Sequence, residues 1–229
     1  MAAENKSAKE SRKLFKKRRK RRLRTITVLP SLVTILNGVC GFAAIVCAGK
    51  AITDPGLPPE QTTLNLPYFA ISGYLILLAM LADTLDGGLA RISQSTSSFG
   101  GQLDSLCDMV SFGVAPAYLM LKLLEHEIAP GTYGGSELAT LFSRFVWLAG
   151  AAYISCAAIR LARFNVENEQ EESSHMSFLG LPSPAAAGTV ISLVIFYQQM
   201  LPEFAAKNSI LYYLTEKSVL YALPFVVLA

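Results

Sequence analysis

The sequence has few of the residues that dominate catalytic and metal sites in soluble proteins. It contains only two histidines, and none of its four cysteines (Cys40, Cys47, Cys107 and Cys156) forms a closely spaced pair of the zinc-binding or redox kind. Charged residues make up 16% of the chain, against about a quarter in ordinary soluble domains. These absences argue against zinc and thiol chemistry. We interpret the cysteines as small apolar packing residues and assign no catalytic role to the histidines.

The sequence has long apolar runs and few charged residues. Hydrophobic residues form 52% of the chain, and a membrane-spanning helix needs about 20 mainly apolar residues. The runs predict spans near 29–50, 66–90, 100–124, 142–163 and 183–201. A last run from about 217 has only 13 residues and is expected to be incomplete. We therefore predict an all-α, polytopic membrane helix bundle with at least six transmembrane helices.

Basic charge is concentrated at the N-terminus. Of the 20 lysines and arginines, 12 lie before residue 25, mostly in SRKLFKKRRKRRLR. Nucleic-acid binding is one interpretation, but no aromatic residue beyond Phe15 is interleaved and no nucleic-acid-binding fold follows. Because an apolar run comes next, we interpret residues 1–28 as a basic cytoplasmic segment that contacts anionic lipid. Residues 29–229 form the predicted membrane domain, which we expect in the cell (inner) membrane with its N-terminus inside.

Four aspartates interrupt the apolar pattern in DTLDGGLARISQSTSSFGGQLDSLCD, residues 83–108. Asp83 and Asp86 share one face of the second predicted helix, and Asp104 and Asp108 share one face of the third. A connection of about nine residues joins these helices, so they are antiparallel neighbours. The two pairs of carboxylates are therefore expected to converge near the cytoplasmic boundary.

Carboxylates this close repel one another, and burial adds a desolvation cost. Alternatively, the aspartates could be ordinary helix-end residues that face water. That explanation suits one or two aspartates, but it suits four aspartates on paired helix faces poorly. Ionisable residues in membrane helices are functional candidates by default. Divalent cations relieve the repulsion, and oxygen ligands without histidine or cysteine favour Mg²⁺, Mn²⁺ or Ca²⁺. Two such ions are the usual arrangement for phosphoryl displacement.

Glycines and one arginine accompany the aspartates. Gly87 and Gly88 follow Asp86, and Gly100 and Gly101 precede Asp104. Glycine costs a helix about 1 kcal/mol relative to alanine, and one use that offsets this cost is room for a ligand against the backbone.

Arg91 lies about one turn beyond Gly87, where it could meet a phosphate. The alternative interpretation is that this charge only sets the membrane topology.

The spacing of these residues resembles the signature of the CDP-alcohol phosphotransferase family. Eight fixed residues over 26 positions agree in identity and gap: Asp83-x2-Asp86-Gly87-x2-Ala90-Arg91-x8-Gly100-x3-Asp104-x3-Asp108. The resemblance implies a membrane transferase that joins a CDP-activated donor to an alcohol and releases CMP.

The resemblance also implies roles by position. The four aspartates would hold two divalent cations, Mg²⁺ or Mn²⁺, and Asp108 would also act as the general base. Contacts to the donor CDP-diacylglycerol are expected from Ser31, Thr34, Asp83, Gly87, Ala90, Arg91, Ser97 and Gly100.

Three further stretches resemble the bacterial-type phosphatidylserine synthases within that family: LPSLVTILNGVCGF (29–42), RLARFN (160–165) and FLGLPSPAAAG (178–188). This resemblance implies L-serine as the acceptor. Arg160 and Arg163 could bind its carboxylate, although they could instead only set the topology. Asn165 is a further candidate for the acceptor pocket, and Asn37 is expected to bridge two helices.

Other interpretations stay open at this point. The acceptor could be glycerol 3-phosphate or inositol phosphate. A carboxylate-lined ion transporter is also conceivable, but it would need polar residues deep in several helices. A purely structural scaffold leaves the aspartates unexplained. Small residues such as those in AGAAYISCAA favour close helix packing and make a homodimer plausible.

Overall fold

The computed structural model describes residues 31–51, 68–93, 98–127, 137–170, 182–200 and 209–228. Every residue in these ranges except Pro182 is helical. The all-α prediction is therefore confirmed for the described part of the chain. The predicted basic segment, residues 1–28, lies outside these ranges.

Within the described ranges, seven α-helices and two π-helical segments follow one another. The first three helices are α1 (Ser31–Ala51), α2 (Tyr68–Ser93) and α3 (Ser98–Asp108). A π-helical segment, Met109–Val114, joins α3 directly to α4 (Ala115–Glu127). The remaining helices are α5 (Glu137–Gln170), α6 (Ser183–Ile195), which continues into the π-helical segment Phe196–Met200, and α7 (Ser209–Leu228).

Four helical segments in the described ranges are long and apolar enough to cross a membrane: Ser31–Ala51, Tyr68–Gly88, Phe99–Glu127 and Thr140–Val166. Six spans, as predicted from the sequence, are not confirmed. In the last helix only the shorter stretch Lys217–Val227 is strongly apolar, although α7 itself begins at Ser209 rather than near 217. The apolar run alone therefore marked the start of α7 too late.

The continuous segment formed by α3, the π-helical residues and α4 occupies the centre of the bundle. Its side chains Phe112, Leu119 and Leu123 are fully buried. Helix α2 packs against α6, and α5 packs against both α4 and α7. Large apolar side chains on the outer faces, such as Leu81 and Leu148, are exposed, as expected where a helix faces lipid.

Pro116 explains why the central helix changes to π geometry just after Asp108. A proline has no N–H to donate, and its ring clashes with the carbonyl group four residues earlier, which here belongs to Phe112. The Tyr153 hydroxyl donates to that Phe112 carbonyl oxygen at 2.8 Å. The carbonyl that loses its regular helical partner is thus satisfied from α5, as a membrane interior requires.

Glycines allow α1 to lie very close to the central helix. A Cβ atom at Gly41 would stand 2.7 Å from the Ser111 Cα atom, and one at Gly38 would stand 2.9 Å from the Cys107 Sγ atom. The Ser111 hydroxyl also donates to the Asn37 carbonyl oxygen at 2.9 Å. These contacts place the N-terminal half of α1 directly beside the aspartates of α3.

Candidate metal and substrate site

Three aspartates from two helices converge at one end of the bundle. Asp83 comes from α2, and Asp104 and Asp108 come from α3, one turn apart. One carboxylate oxygen from each lies within 4.8 Å of the others. The i, i+4 spacing on α3 turns both carboxylates toward α2, so a short helical hairpin is sufficient to assemble the cluster. We call these three residues the carboxylate cluster.

Asp86 lies beside this cluster but is not one of the three residues that converge. It is only 5% exposed, and the Thr34 side chain of α1 hydrogen-bonds to it. Its Oδ2 atom has no hydrogen-bond partner among the described residues. Asp86 therefore presents a buried acceptor next to the cluster, between α1 and α2.

The donor set fits a hard divalent cation. Besides Asp86 Oδ2, the buried Asp104 Oδ1 atom has no hydrogen-bond partner within the described ranges. Buried carboxylate oxygens are normally paired, because leaving a charge without a partner in a low-dielectric interior is costly. An ion such as Mg²⁺ or Mn²⁺, which prefers oxygen ligands, would satisfy these atoms and relieve the mutual repulsion of the carboxylates.

Helix α1 contributes a contact that the sequence interpretation did not place in the site. The Asn37 Nδ2 atom donates to Asp108 Oδ1 at 2.8 Å, and Asn37 is completely buried. Asn37 does bridge two helices, as expected, but its partner is the aspartate proposed as the base. A periodic signal was available, because Thr34, Asn37 and Gly41 share one face of α1.

The residues expected to contact the donor lie around the same end of the bundle, as far as they are described. Thr34 is buried next to Asp86, and Ser31 is half-buried one turn earlier. Gly87 is exposed, and a Cβ atom there would meet nothing within 4 Å among the described residues. Gly100 is half-buried.

Among the described residues, packing does not require glycine at position 87, and its backbone is open on the side where a Cβ atom would stand. Ala90 and Arg91 belong to α2, but their side chains are outside the described part of the structure, as is the whole of Ser97.

Helix α5 brings one of the predicted acceptor residues, Asn165, to α3. The Ser105 hydroxyl donates to Asn165 Oδ1 at 3.0 Å, and Ser105 directly follows Asp104. Asn165 is therefore hydrogen-bonded to the residue next to Asp104 of the carboxylate cluster. Arg160 is half-buried and Arg163 is exposed on the same stretch of α5.

Large apolar side chains are exposed on the outer faces of the helices, and the carboxylate cluster lies at one end of the bundle. These two features define a membrane protein with a candidate divalent-cation centre. Residues 27–227 match the family described as CDP-alcohol phosphatidyltransferase. The chain belongs to this family, which covers all but the ends of the sequence.

Several curated relatives carry the name CDP-diacylglycerol--serine O-phosphatidyltransferase. The Methanocaldococcus jannaschii protein is 34% identical over 165 residues, which are 72% of this chain and 59% of the relative. The Saccharomyces cerevisiae protein is 34% identical over 166 residues, covering 70% and 51%, respectively. The Helicobacter pylori strain J99 protein is 35% identical over 127 residues, covering 56% and 47%. The chain thus spans about half the length of the curated relatives it matches.

Proposed function

We propose that this protein transfers a phosphatidyl group from CDP-diacylglycerol to L-serine, producing phosphatidylserine and CMP. The observation that carries the proposal is the convergence of Asp83, Asp104 and Asp108 oxygens within 4.8 Å at one end of a membrane helix bundle. Family membership supports a CDP-alcohol donor, and the names of the relatives support serine as the acceptor.

Asp108 is the proposed general base. The serine hydroxyl attacks the phosphorus atom that carries diacylglycerol, a new P–O bond forms, and the bond from that phosphorus to the CMP oxygen breaks. The hydroxyl proton passes to the Asp108 carboxylate, and CMP leaves with the bonding electron pair. Base catalysis by a positioned carboxylate contributes about 10²–10⁴-fold to such a rate. When bound, two Mg²⁺ or Mn²⁺ ions supply positive charge for the pyrophosphate and for the departing CMP.

Asp83, Asp86 and Asp104 complete the proposed metal-binding set with Asp108. Asp86 is included because its buried Oδ2 atom has no other described partner and because it lies between Thr34 and the cluster. The nucleotide part of the donor is proposed to lie along the open backbone at Gly87 and against the start of α1, where Ser31 and Thr34 are located. Ala90, Arg91, Ser97 and Gly100 complete the proposed donor contacts.

The acceptor is proposed to enter beside the end of α5. Asn165 is tied to Ser105, next to Asp104, so a ligand near Asn165 would lie close to the cluster. Arg160 and Arg163 supply positive charge for the serine carboxylate.

A site at a helix end suits both substrates, because serine arrives from water while the acyl chains of the donor remain in lipid. We place this end and the basic N-terminus on the cytoplasmic side of the cell membrane, and we propose a homodimer formed through small-residue helix faces.

A transfer assay with alternative acceptors tests this function. Purified protein in detergent is given CDP-diacylglycerol and Mg²⁺ or Mn²⁺, with L-serine, glycerol 3-phosphate or inositol 1-phosphate in separate reactions. We expect CMP release with serine alone, together with phosphatidylserine detected by mass spectrometry. CMP release with another acceptor would support the family reaction but contradict serine as the acceptor. If folded, metal-loaded protein releases CMP with none of the acceptors, that result would contradict the proposed enzymatic activity and favour an ion transporter.

A further inference from the structure

Asn37 has two separate links to the central helix, one through its side chain and one through its main chain. The side-chain Nδ2 atom donates to Asp108 Oδ1 at 2.8 Å. The main-chain carbonyl oxygen accepts from the Ser111 hydroxyl at 2.9 Å. Both Asn37 and Ser111 are completely buried. Because the Ser111 bond and the close approach at Gly41 already attach α1 to the central helix, that attachment does not depend on the Asn37 amide.

The Asn37 side chain is expected to lower the stability of the fold at this position. Its Oδ1 atom is buried and has no hydrogen-bond partner among the described residues. A buried amide oxygen without a partner destabilises a fold, and an apolar side chain of similar size would avoid that penalty. The amide is therefore better explained by what its N–H group does for Asp108 than by helix packing.

A carboxylate without such a bond has a poorly fixed orientation. The terminal torsion of aspartate is broad, so its two oxygens can rotate through a wide range. A hydrogen bond from Asn37 fixes one oxygen, and this determines where the remaining lone pairs point. Groups that orient a metal-binding side chain in this way commonly change metal affinity or activity by about 10–100-fold when they are removed.

We propose that Asn37 is a positioning residue that fixes the orientation of the Asp108 carboxylate toward the oxygens of Asp83 and Asp104. The inference rests on the proposed function, because it takes the carboxylate cluster to be a cation site. It gives a role in cation binding to a residue of α1 that lies outside the aspartate signature.

Mn²⁺ binding separates this role from a structural one. The free Mn²⁺ signal is followed by electron paramagnetic resonance during titration of the full chain in detergent, without substrates. Asn37→Leu fills a similar space but has no N–H donor, and Asn37→Ala is measured in parallel. We expect either variant to bind Mn²⁺ about 10–100-fold more weakly than the wild type. Turnover should fall with a lower kcat, while KM for serine stays near the wild-type value.

Ser111→Ala is the matched control, because it removes a second buried hydrogen bond between α1 and the central helix. We expect it to lower thermal stability and leave Mn²⁺ affinity unchanged. Wild-type affinity in folded Asn37→Leu or Asn37→Ala would overturn the inference while leaving the metal site intact. An equal loss of affinity in Ser111→Ala would also overturn it, because helix attachment would then be the cause. A wild-type protein that does not bind Mn²⁺ would refute the cation site itself, and the inference with it.

Discussion

Asp108→Asn is expected to eliminate measurable phosphatidyl transfer while leaving the helix bundle folded. The amide cannot accept the serine proton, and it is a weaker ligand than a carboxylate for a hard cation. Loss of the base alone lowers a rate by about 10²–10⁴-fold, and the weakened cation site lowers it further. The fold should survive, because the new amide oxygen can still accept from Asn37 Nδ2, which bonds to Asp108 Oδ1 in the wild type.

CMP release and thermal unfolding should be measured on the same preparation of Asp108→Asn. The variant removes one of three carboxylates that lie within 4.8 Å, so its metal-free stability should equal or exceed that of the wild type. Glu125→Gln is a matched control on the same continuous helix, where Glu125 forms a local ion pair with Lys122 at 2.7 Å. We expect it to retain activity. Near-wild-type turnover by Asp108→Asn would exclude Asp108 as the base.

Gly41→Ala is expected to cause the largest loss of stability among glycine-to-alanine changes at the described glycines. The added Cβ atom would stand 2.7 Å from the Ser111 Cα atom, so the backbone of α1 or of the π-helical segment must move. Overpacking of this kind typically costs about 1–3 kcal/mol. Because Thr34 and Asn37 lie on the same face of α1, the shift should also reduce activity.

Two other glycines provide a graded comparison for thermal unfolding. At Gly38 the nearest atom to an added Cβ is Cys107 Sγ, at 2.9 Å, and a side-chain end can move aside more easily than backbone. At Gly101 nothing lies within 4 Å among the described residues, and alanine is the better helix former. We expect the stabilities to fall in the order Gly101→Ala, Gly38→Ala, Gly41→Ala. A Gly41→Ala variant as stable as Gly101→Ala would contradict the close packing of α1.

Local spacing was sufficient to predict the helical class and the convergence of three of the four aspartates, Asp83, Asp104 and Asp108; the fourth, Asp86, was expected in the same group but lies beside it. Apolar runs long enough to cross a membrane must be helical there, because only a helix satisfies its own backbone in lipid. The i, i+4 spacing of Asp104 and Asp108 put both on one face, and the short connection put that face opposite α2. These features depend only on neighbouring residues, so the sequence carries them directly.

Contacts between distant parts of the chain were not predictable in the same way. Asn37 and Asp108 are 71 residues apart. The spacing of Thr34, Asn37 and Gly41 marks one face of α1, but it does not state that this face meets α3. The π-helical segment was also missed, because the run from 100 to 124 was interpreted as one regular helix. Pro116 was its local signal, since a proline inside a helix disturbs the turn before it.

The most direct measurement is the position of Mn²⁺ in crystals of the protein grown with Mn²⁺ and CMP. Anomalous scattering identifies the metal without reference to activity. The account predicts anomalous peaks between α2 and α3, within ligand distance of Asp83, Asp104 and Asp108, with CMP beside Gly87. Well-ordered crystals with Mn²⁺ bound elsewhere, and with the carboxylate cluster empty, would contradict it.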